Sequence, residues 1–594
     1  MEFRPVGEKP LSGSCTKRPC LSPTRQADVV VIGAGLAGIC AAVAAARNGA
    51  KTLLIQDRPM PGGNSSSEIR MWICGAQDSD FREAGLLEEL KLANYYYNPT
   101  LKYTLWDHVM RDFLEGEPNL ECYFNTSVID STVDGGRISS VIAWGLTDYI
   151  LYEFRGKVFV DCSGDSILAE RSGAEYVHGR EARKTYNEPW GLEQADGKTM
   201  GNSILMQLRR TDDDRPFKAP SWAYHYTDET VPRQELAQPG DNFWWLEFGG
   251  VFDTIKDARE IGRELTKIAL GYWEYIKNHP DGRGNGWALD WLGSLPGKRE
   301  SRRYVGDYVL TQDDTVNGRL FPDAIAYGAW LVDDHYPEAI YHKGEPNRVQ
   351  PLRPGYHVPY RCLYSRNISN LLFAGRNISV SHLALSSVRV MGTCAMFGQA
   401  AGTAAALAVH YGCTPREIGR RHIRELQQRL VRQDQFIPGV KLEHGTAARN
   451  GTPSDPRLAD EFDRETKSTT NHHSILLHQG ESCQYTFKTP TTVTAIRLVW
   501  DSNFEDSKKM RFHEGCDESR QLPSTLAKAF IVETQTGGEW QMCFQVDDNF
   551  RRLNLIHFPP RQAQAIRLTL TRDRIPGEPA RLFSFEPIDE LRLQ

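Results

Sequence analysis

The run Asp28-Val29-Val30-Val31-Ile32-Gly33-Ala34-Gly35-Leu36-Ala37-Gly38 sets the architecture of this chain. Its apolar, β-branched start reads as a short strand buried on both faces. The glycines after it form a GxGxxG turn, and an Ala-rich helix follows, closing near Gly49. A second apolar strand, Lys51 to Gln56, comes at once, so about 30 residues spell a βαβ unit. In that setting each glycine has a task. Gly33 permits the tight turn, Gly35 lets a pyrophosphate approach the backbone, and Gly38 lets helix and sheet pack closely. Leu36 and Ala37 open the helix, whose free N–H groups and positive end suit phosphate. A dinucleotide site is expected here. An acid normally ends the second strand to hold a ribose hydroxyl. This chain has Gln56 followed by Asp57, and either side chain can make that hydrogen bond.

Outward from this unit the pattern changes twice. Alternating runs (Val128 to Val133, Ile138 to Trp144, Tyr149 to Phe154) separated by turns such as Asp134-Gly135-Gly136 predict a small meander. Val158 to Asp161 then returns as a buried strand. Residues 176–344 are richer in Trp, Tyr, Arg and Pro and lack a βα repeat, so they are expected to form an inserted α+β substrate or cap domain. The buried-strand signal resumes at Leu371-Leu372-Phe373-Ala374-Gly375, followed by a Gly/Ala-rich helix near 390–410. Thr414-Pro415 is an N-cap and first-turn pair opening a further helix to about Gln433. A Gly/Pro/Ser-rich link covers 434–464. The tail, 465–594, holds about eight short alternating strands and reads as an all-β sandwich or jelly roll. The fold class is thus α/β. A Rossmann-like dinucleotide domain (27–175 and 345–433) carries the insert, a loose leader (1–26) precedes it, and the β-sandwich follows.

Four features favour FAD over NAD. Arg58-Pro59-Met60-Pro61-Gly62-Gly63-Asn64-Ser65-Ser66 places a glycine pair where an extended flavin chain would pass. A meander replaces the usual crossover. Asp161-Cys162-Ser163-Gly164-Asp165 ends a strand in a tight polar turn, and Phe373-Ala374-Gly375-Arg376-Asn377 precedes the helix holding Gly398 to Gly402. Together these segments resemble the FAD-dependent oxidoreductases of the two-domain, glutathione-reductase-like superfamily over about 27–433. The likeness is nearest to the family that also resembles fumarate-reductase flavoproteins. The resemblance implies that Gly62, Gly63, Asn64, Ser65 and Ser66 lie along pyrophosphate, ribityl and flavin edge. Ser163 and Gly164 would border the adenosine end, and Gly375 and Arg376 the pyrophosphate or ribityl. The helix beginning after Ser387 would aim its positive end at the flavin C2 carbonyl, where reduction leaves negative charge. Covalent relatives use a His before the glycine pair; Pro61 stands there, so non-covalent FAD is expected. Gly398, Ala401, Gly402 and Ala405 read mostly as close helix packing. The tail resembles galactose-binding-like jelly rolls of the discoidin type, and a domain that only packs or drives oligomerisation is the other reading.

A flavin carries the hydride, so the protein must bind, orient and move a proton. His382, seven residues beyond Gly375, is one candidate. Arg389 could hold a substrate carboxylate or the reduced flavin. In Lys298-Arg299-Glu300-Ser301-Arg302-Arg303-Tyr304, relatives carry a similar stretch, and Arg302 and Arg303 are candidate substrate arginines. Trp244-Trp245-Leu246-Glu247 and Trp330-Leu331-Val332-Asp333-Asp334-His335 fit either a core or a sugar-stacking platform. Glu68 and Arg70 are near enough in sequence to flank the flavin, and Cys74 reads as a structural thiol. The resemblance implies hydride transfer between flavin N5 and a small polar substrate, a carbohydrate or hydroxy acid. Reduction of an unsaturated carboxylate and a non-catalytic carbohydrate-binding or assembly role are the alternatives, and the electron acceptor is open. The 70 Lys plus Arg nearly balance 76 Asp plus Glu in 594 residues, for a net charge of −6. That argues against a nucleic-acid partner or a polybasic membrane anchor. No apolar run of about 18 residues stands out, so no membrane span is expected. The first 26 residues lack the apolar core of a secretory signal. The twelve cysteines include no CxxC pair, which fits the cytoplasm and predicts no metal site.

Overall fold

The computed structural model describes residues 24–240, 242–467, 472–511 and 521–589. Most of the expected leader lies outside them; Arg25 and Gln26 pair in parallel with Phe154 and Arg155. The quoted run forms strand β1 (Val29–Ile32) and helix α1 (Leu36–Arg47). Beside β1 lie β2 (Thr52–Ile55), β3 (Leu120–Tyr123) and β4 (Val158–Asp161). With Leu371–Phe373 they make a five-stranded parallel sheet. Every residue of β1, β2 and β4 is buried, which is why they read as unbroken apolar runs rather than alternating ones. The meander forms as expected, with Thr126–Asp134, Arg137–Gly145 and Leu151–Arg155 in one antiparallel sheet.

In the insert, helix α2 (Ala258–Asn278) packs Leu265, Ile268, Tyr272 and Ile276 against Met206, Phe243 and Trp245 to make a second core. Core membership divides the chain differently from the expected boundary at 344. Tyr304, Leu310 and Ala324 to Tyr327 belong to the core around the parallel sheet. Strand β5 (Val332–His335) pairs antiparallel with Asn347–Gln350. The last parallel strand is β6 (Leu371–Phe373), giving the order β6-β4-β1-β2-β3.

Helix α3 (His382–Val388) leads into α4 (Met391–Tyr411). The α4 glycines serve packing. A Cβ on Gly398 would lie 2.0 Å from the Ala37 carbonyl oxygen, and one on Gly402 2.1 Å from that of Ala41, so the α1 backbone sits against α4. Length and composition would let α4 cross a bilayer, unlike the expectation from sequence, yet 94% of its apolar window is buried inside the fold. The Thr414/Glu417 capping box and Pro415 start the next helix. That helix breaks at His422 and resumes as Ile423–Arg432.

The C-terminal unit is an all-β antiparallel sandwich. Two long strands, Ser482–Trp500 and Leu553–Arg572, run through register shifts instead of stopping at turns. The first therefore absorbs two short strands expected from sequence, Gln484 to Phe487 and Val493 to Trp500, and the second extends well before the expected Ala565 to Leu570. Pro490, with no N–H to give, falls in the gap between paired Thr486 and Thr491. The expected link is structured: Gly451–Pro453 pairs with the sandwich, and Ile437 and Leu442 pack in the core around the parallel sheet. Leu92 packs in the sandwich core while Met510 packs in the other. Buried pairs cross the seam: Arg552 with Asp434 at 2.9 Å, Arg432 with Glu586 at 2.6 Å and Lys508 with Glu88 at 2.8 Å.

Candidate active site

The carboxyl ends of β1, β2, β4 and β6 open into one cavity of about 1190 Å³. This is where open α/β sheets bind ligands. Gly33, at φ +91°, turns the chain out of β1. A Cβ on Gly38 would lie 1.8 Å from the Gly33 carbonyl oxygen, so its lack of a side chain serves the turn itself. Gly35 differs: a Cβ there meets nothing within 4 Å. The space it faces is cavity, and a side chain would fill the cradle where phosphate approaches the start of α1. Leu36, Ala37, Gly62, Gly63 and Asn64 line the same wall. The Gly62 N–H donates to Ala34 O at 2.7 Å, locking the two glycine turns together.

Gln56 and Asp57 both line the cavity. The Gln56 Oε1 accepts the Ala34 N–H at 2.7 Å and its Nε2 donates to Met60 O at 3.3 Å, so its amide braces the turns. Asp57 keeps a largely exposed carboxylate. Ser163, Gly164, Gly375 and Arg376 also line the cavity. Arg376 donates to Asp165 and to Ser301 Oγ, both at 2.7 Å, and Lys298 donates to Asp165 at 2.6 Å. Burial acts to raise the Asp165 pKa, but the two cations outweigh it and hold the carboxyl below the usual carboxylate range. Val390 and Met391, at the positive end of α4, reach the wall as well.

A second group of residues meets there. Arg299, Asp333, His335 and Arg389 line the cavity with Trp244, Trp330 and Asn347. The His335 Nδ1 is 2.7 Å from Glu247, and its Nε2 is 3.3 Å from Asp333. Arg299 pairs with Glu247 at 2.6 Å, and Arg389 with Asp333 at 3.1 Å. The result is a chain, Arg299–Glu247–His335–Asp333–Arg389, with the Trp244 ring edge-on to His335 at 5.7 Å. Asp333 also accepts from Asn347. Burial works to raise the Asp333 pKa, and His335 and Arg389 together carry it below the usual range. Cys74 is in the wall with its thiol pushed up to about 11 by burial, so it stays protonated at neutral pH.

Several residues picked out from sequence lie elsewhere. His382 does not line the cavity: it is buried with Nδ1 3.0 Å from Glu300 and Nε2 3.0 Å from Asp334. Arg303 is fully buried against Glu300 and Glu181, and Arg302 pairs with Glu170 at 2.7 Å. Their positions, one after another along a chain that passes through the protein, turn them away from the wall that Lys298 and Arg299 reach. Ser387 sits behind that wall, its Oγ 2.6 Å from the Tyr356 hydroxyl and donating to Trp330 O. Ser65 and Ser66 turn inward to donate to Gly62 O and Gly63 O, at 2.9 and 2.8 Å. Glu68 pairs with Arg58, and Arg70 stacks over Trp291. Sequence reasoning missed His335 as the cavity histidine. The signal was present in strand alternation, which puts Asp333 and His335 on one face and Asp334 on the other.

Fold and site together define a flavin-dependent oxidoreductase with an appended β-sandwich. The family model of FAD dependent oxidoreductases matches residues 28–430, and the chain belongs to that family; FAD is its cofactor. Among solved structures, a geranylgeranyl bacteriochlorophyll reductase-like protein from Thermoplasma acidophilum is 13% identical at a TM-score of 0.31, covering 69% of this chain and 84% of that one. A flavocytochrome c3 fumarate reductase in its open conformation is 13% identical at a TM-score of 0.28, covering 65% and 79%. A family 32 carbohydrate-binding module of Streptococcus pneumoniae EndoD is 17% identical at a TM-score of 0.17, covering 23% and 93%.

Proposed function

We propose that this protein transfers a hydride between non-covalently held FAD and a small polar substrate carrying a hydroxyl or carboxylate. The observation that carries the reading is that the Arg299–Glu247–His335–Asp333–Arg389 chain opens into the same cavity as Gly33, Gly35 and Gly63. When bound, FAD accepts or donates the hydride at its ring. The chain's own residues do the rest. Gly33, Gly35 and Gly63 would admit the pyrophosphate, Asp57 a ribose hydroxyl, and the N-terminus of α4 the negative charge of the reduced ring.

His335, with Nδ1 turned to Glu247 at 2.7 Å, would take the proton from the substrate hydroxyl oxygen at Nε2, where the Asp333 contact is the longer at 3.3 Å, as the substrate carbon loses a hydride, and return it in the opposite direction. Glu247 would set the ring from the Nδ1 side, and Asp333 would steady the imidazolium that forms. Arg299 and Arg389 supply positive charge for a carboxylate, while Trp244 and Trp330 offer flat apolar walls. The test is an anaerobic screen of sugars, hydroxy acids and unsaturated acids, read as loss or return of the flavin's visible absorbance. A compound that reduces wild-type protein but reduces His335→Asn about 10²-fold more slowly supports the reading. Equal rates in the two proteins remove His335 from the reaction.

A further inference from the structure

The β-sandwich reaches into this cavity. Its segment 501–511 places Ser507 and Lys509 in the wall, and neighbours on both sides hold them there. Lys508 points away, its Nζ 2.8 Å from Glu88 in a pair buried on both sides. Met510 packs in the core of the flavin unit, where Asn94 Nδ2 approaches its sulfur at 3.2 Å. The Arg511 carbonyl accepts from Gln207 Nε2 of the insert at 3.4 Å. Lys509 itself is exposed, and among the described residues no carboxylate pairs with it.

Charge balance makes this lysine different from its neighbours. Arg299 and Arg389 in the same wall each face a carboxylate, Glu247 and Asp333. Lys298 and Arg376 share Asp165. Among the described residues Lys509 has no such counter-charge. It also belongs to the same electrostatic neighbourhood: Lys509, Arg389 and Arg299 all act on the Cys74 thiol against the effect of its burial. A compact ammonium at a cavity wall suits a single anionic group.

We propose that Lys509, delivered by the β-sandwich, is a substrate-binding residue of the flavin site and takes a carboxylate or phosphate of the small molecule that reacts there; this rests on the oxidoreductase reading above. The sandwich is then part of the active site, and the buried pairs along the seam are what keep Lys509 in place.

The holoenzyme is titrated with succinate, D-gluconate, inorganic phosphate and glucose 6-phosphate, and with neutral glucose and glycerol, reading the flavin's visible absorbance and the melting temperature. At least one anion should bind wild type, and Lys509→Gln should weaken it about 10-fold while leaving FAD content intact. Lys509→Arg should recover most of the loss, and neutral probes should not respond to any of these changes. Which anions respond separates carboxylate from phosphate. Lys509→Met, which keeps the aliphatic stem, is the second variant should Gln disturb the fold. No anion binding to wild type, or equal anion affinity in Lys509→Gln or Lys509→Met, overturns the proposal. Lys509-dependent binding in a protein that no compound reduces would remove the oxidoreductase reading and leave the site. Turnover with Lys509-independent binding would do the reverse.

Discussion

Two histidines stand in nearly the same setting, each held by a pair of carboxylates, and the fold gives them opposite access to the cavity. His382 lies between Glu300 and Asp334, with Arg303 against Glu300. His335 lies between Glu247 and Asp333, with Arg299 and Arg389 beyond them. Asp333 and Asp334 are neighbours on β5, and alternation along the strand sends one to the cavity and the other into the protein. The inner cluster is buried, and His382, Glu300, Arg303 and Asp334 do not line that cavity; it ties the insert to α3. The outer one opens onto the flavin cavity. A histidine–carboxylate pattern therefore says little about catalysis until its access is known.

The largest expected effect tests the cavity that separates the two clusters. Gly35→Val should abolish FAD binding, seen as loss of yellow colour, while the apoprotein keeps its fold, since the new side chain meets only open cavity. An unfolded variant would show that Gly35 serves packing as Gly38 does.

His382→Asn comes next and bears on the inner cluster. Removing one member of a buried charged network costs about 3–5 kcal/mol, so the melting temperature should drop while flavin reduction at permissive temperature is retained. Burial alone would lower the His382 pKa, but Glu300 and Asp334 raise it from 6.5 to about 10. The stability from this pairing is complete below the unfolded value and is lost as pH rises through about 10. The melting temperature of wild type should therefore fall over that window, and the variant's curve should be flatter there. A wild-type curve without that fall contradicts the charged assignment.

For the outer cluster, His335→Asn should slow flavin reduction about 10²-fold with normal FAD content, and its melting temperature should also fall, since His335 is as buried between carboxylates as His382 is. If the rate loss appears in His382→Asn and not in His335→Asn, the roles are exchanged. The smallest effect sharpens the adenosine end. Asp57→Asn should weaken FAD only about 5-fold, as expected for one exposed hydrogen bond, whereas Gln56→Leu should loosen the glycine turns and lower stability. Equal FAD affinity in Asp57→Asn and wild type would return the ribose contact to Gln56.

Much of this was legible in the amino-acid order because it is local. Buried parallel strands need unbroken apolar runs, and β1, β2, β4 and β6 show them. Left-handed and closely approached backbone needs glycine, and Gly33, Gly35, Gly62, Gly63 and Gly375 mark the cavity. The candidate chemistry was less legible because it is assembled from distant pieces. Glu247, Arg299, His335, Asn347 and Arg389 converge only once the insert folds over the sheet. Proximity to Gly375 in sequence pointed to His382, yet Ser381 caps α3 and directs the next residue inward. Ser65 and Ser66 sit in the right turn but satisfy its own carbonyls. The seam of the sandwich was hidden for a similar reason: Lys508, Arg552 and Glu586 look like ordinary surface charges until their partners at Glu88, Asp434 and Arg432 are in place.

The most direct measurement is a crystal structure of the purified yellow protein. The pyrophosphate should lie over Gly35 and the flavin ring beside His335 and Arg389, with His382 still enclosed by Glu300 and Asp334. A flavin ring placed against His382, with the Arg299–Arg389 chain away from the cofactor, would contradict that placement.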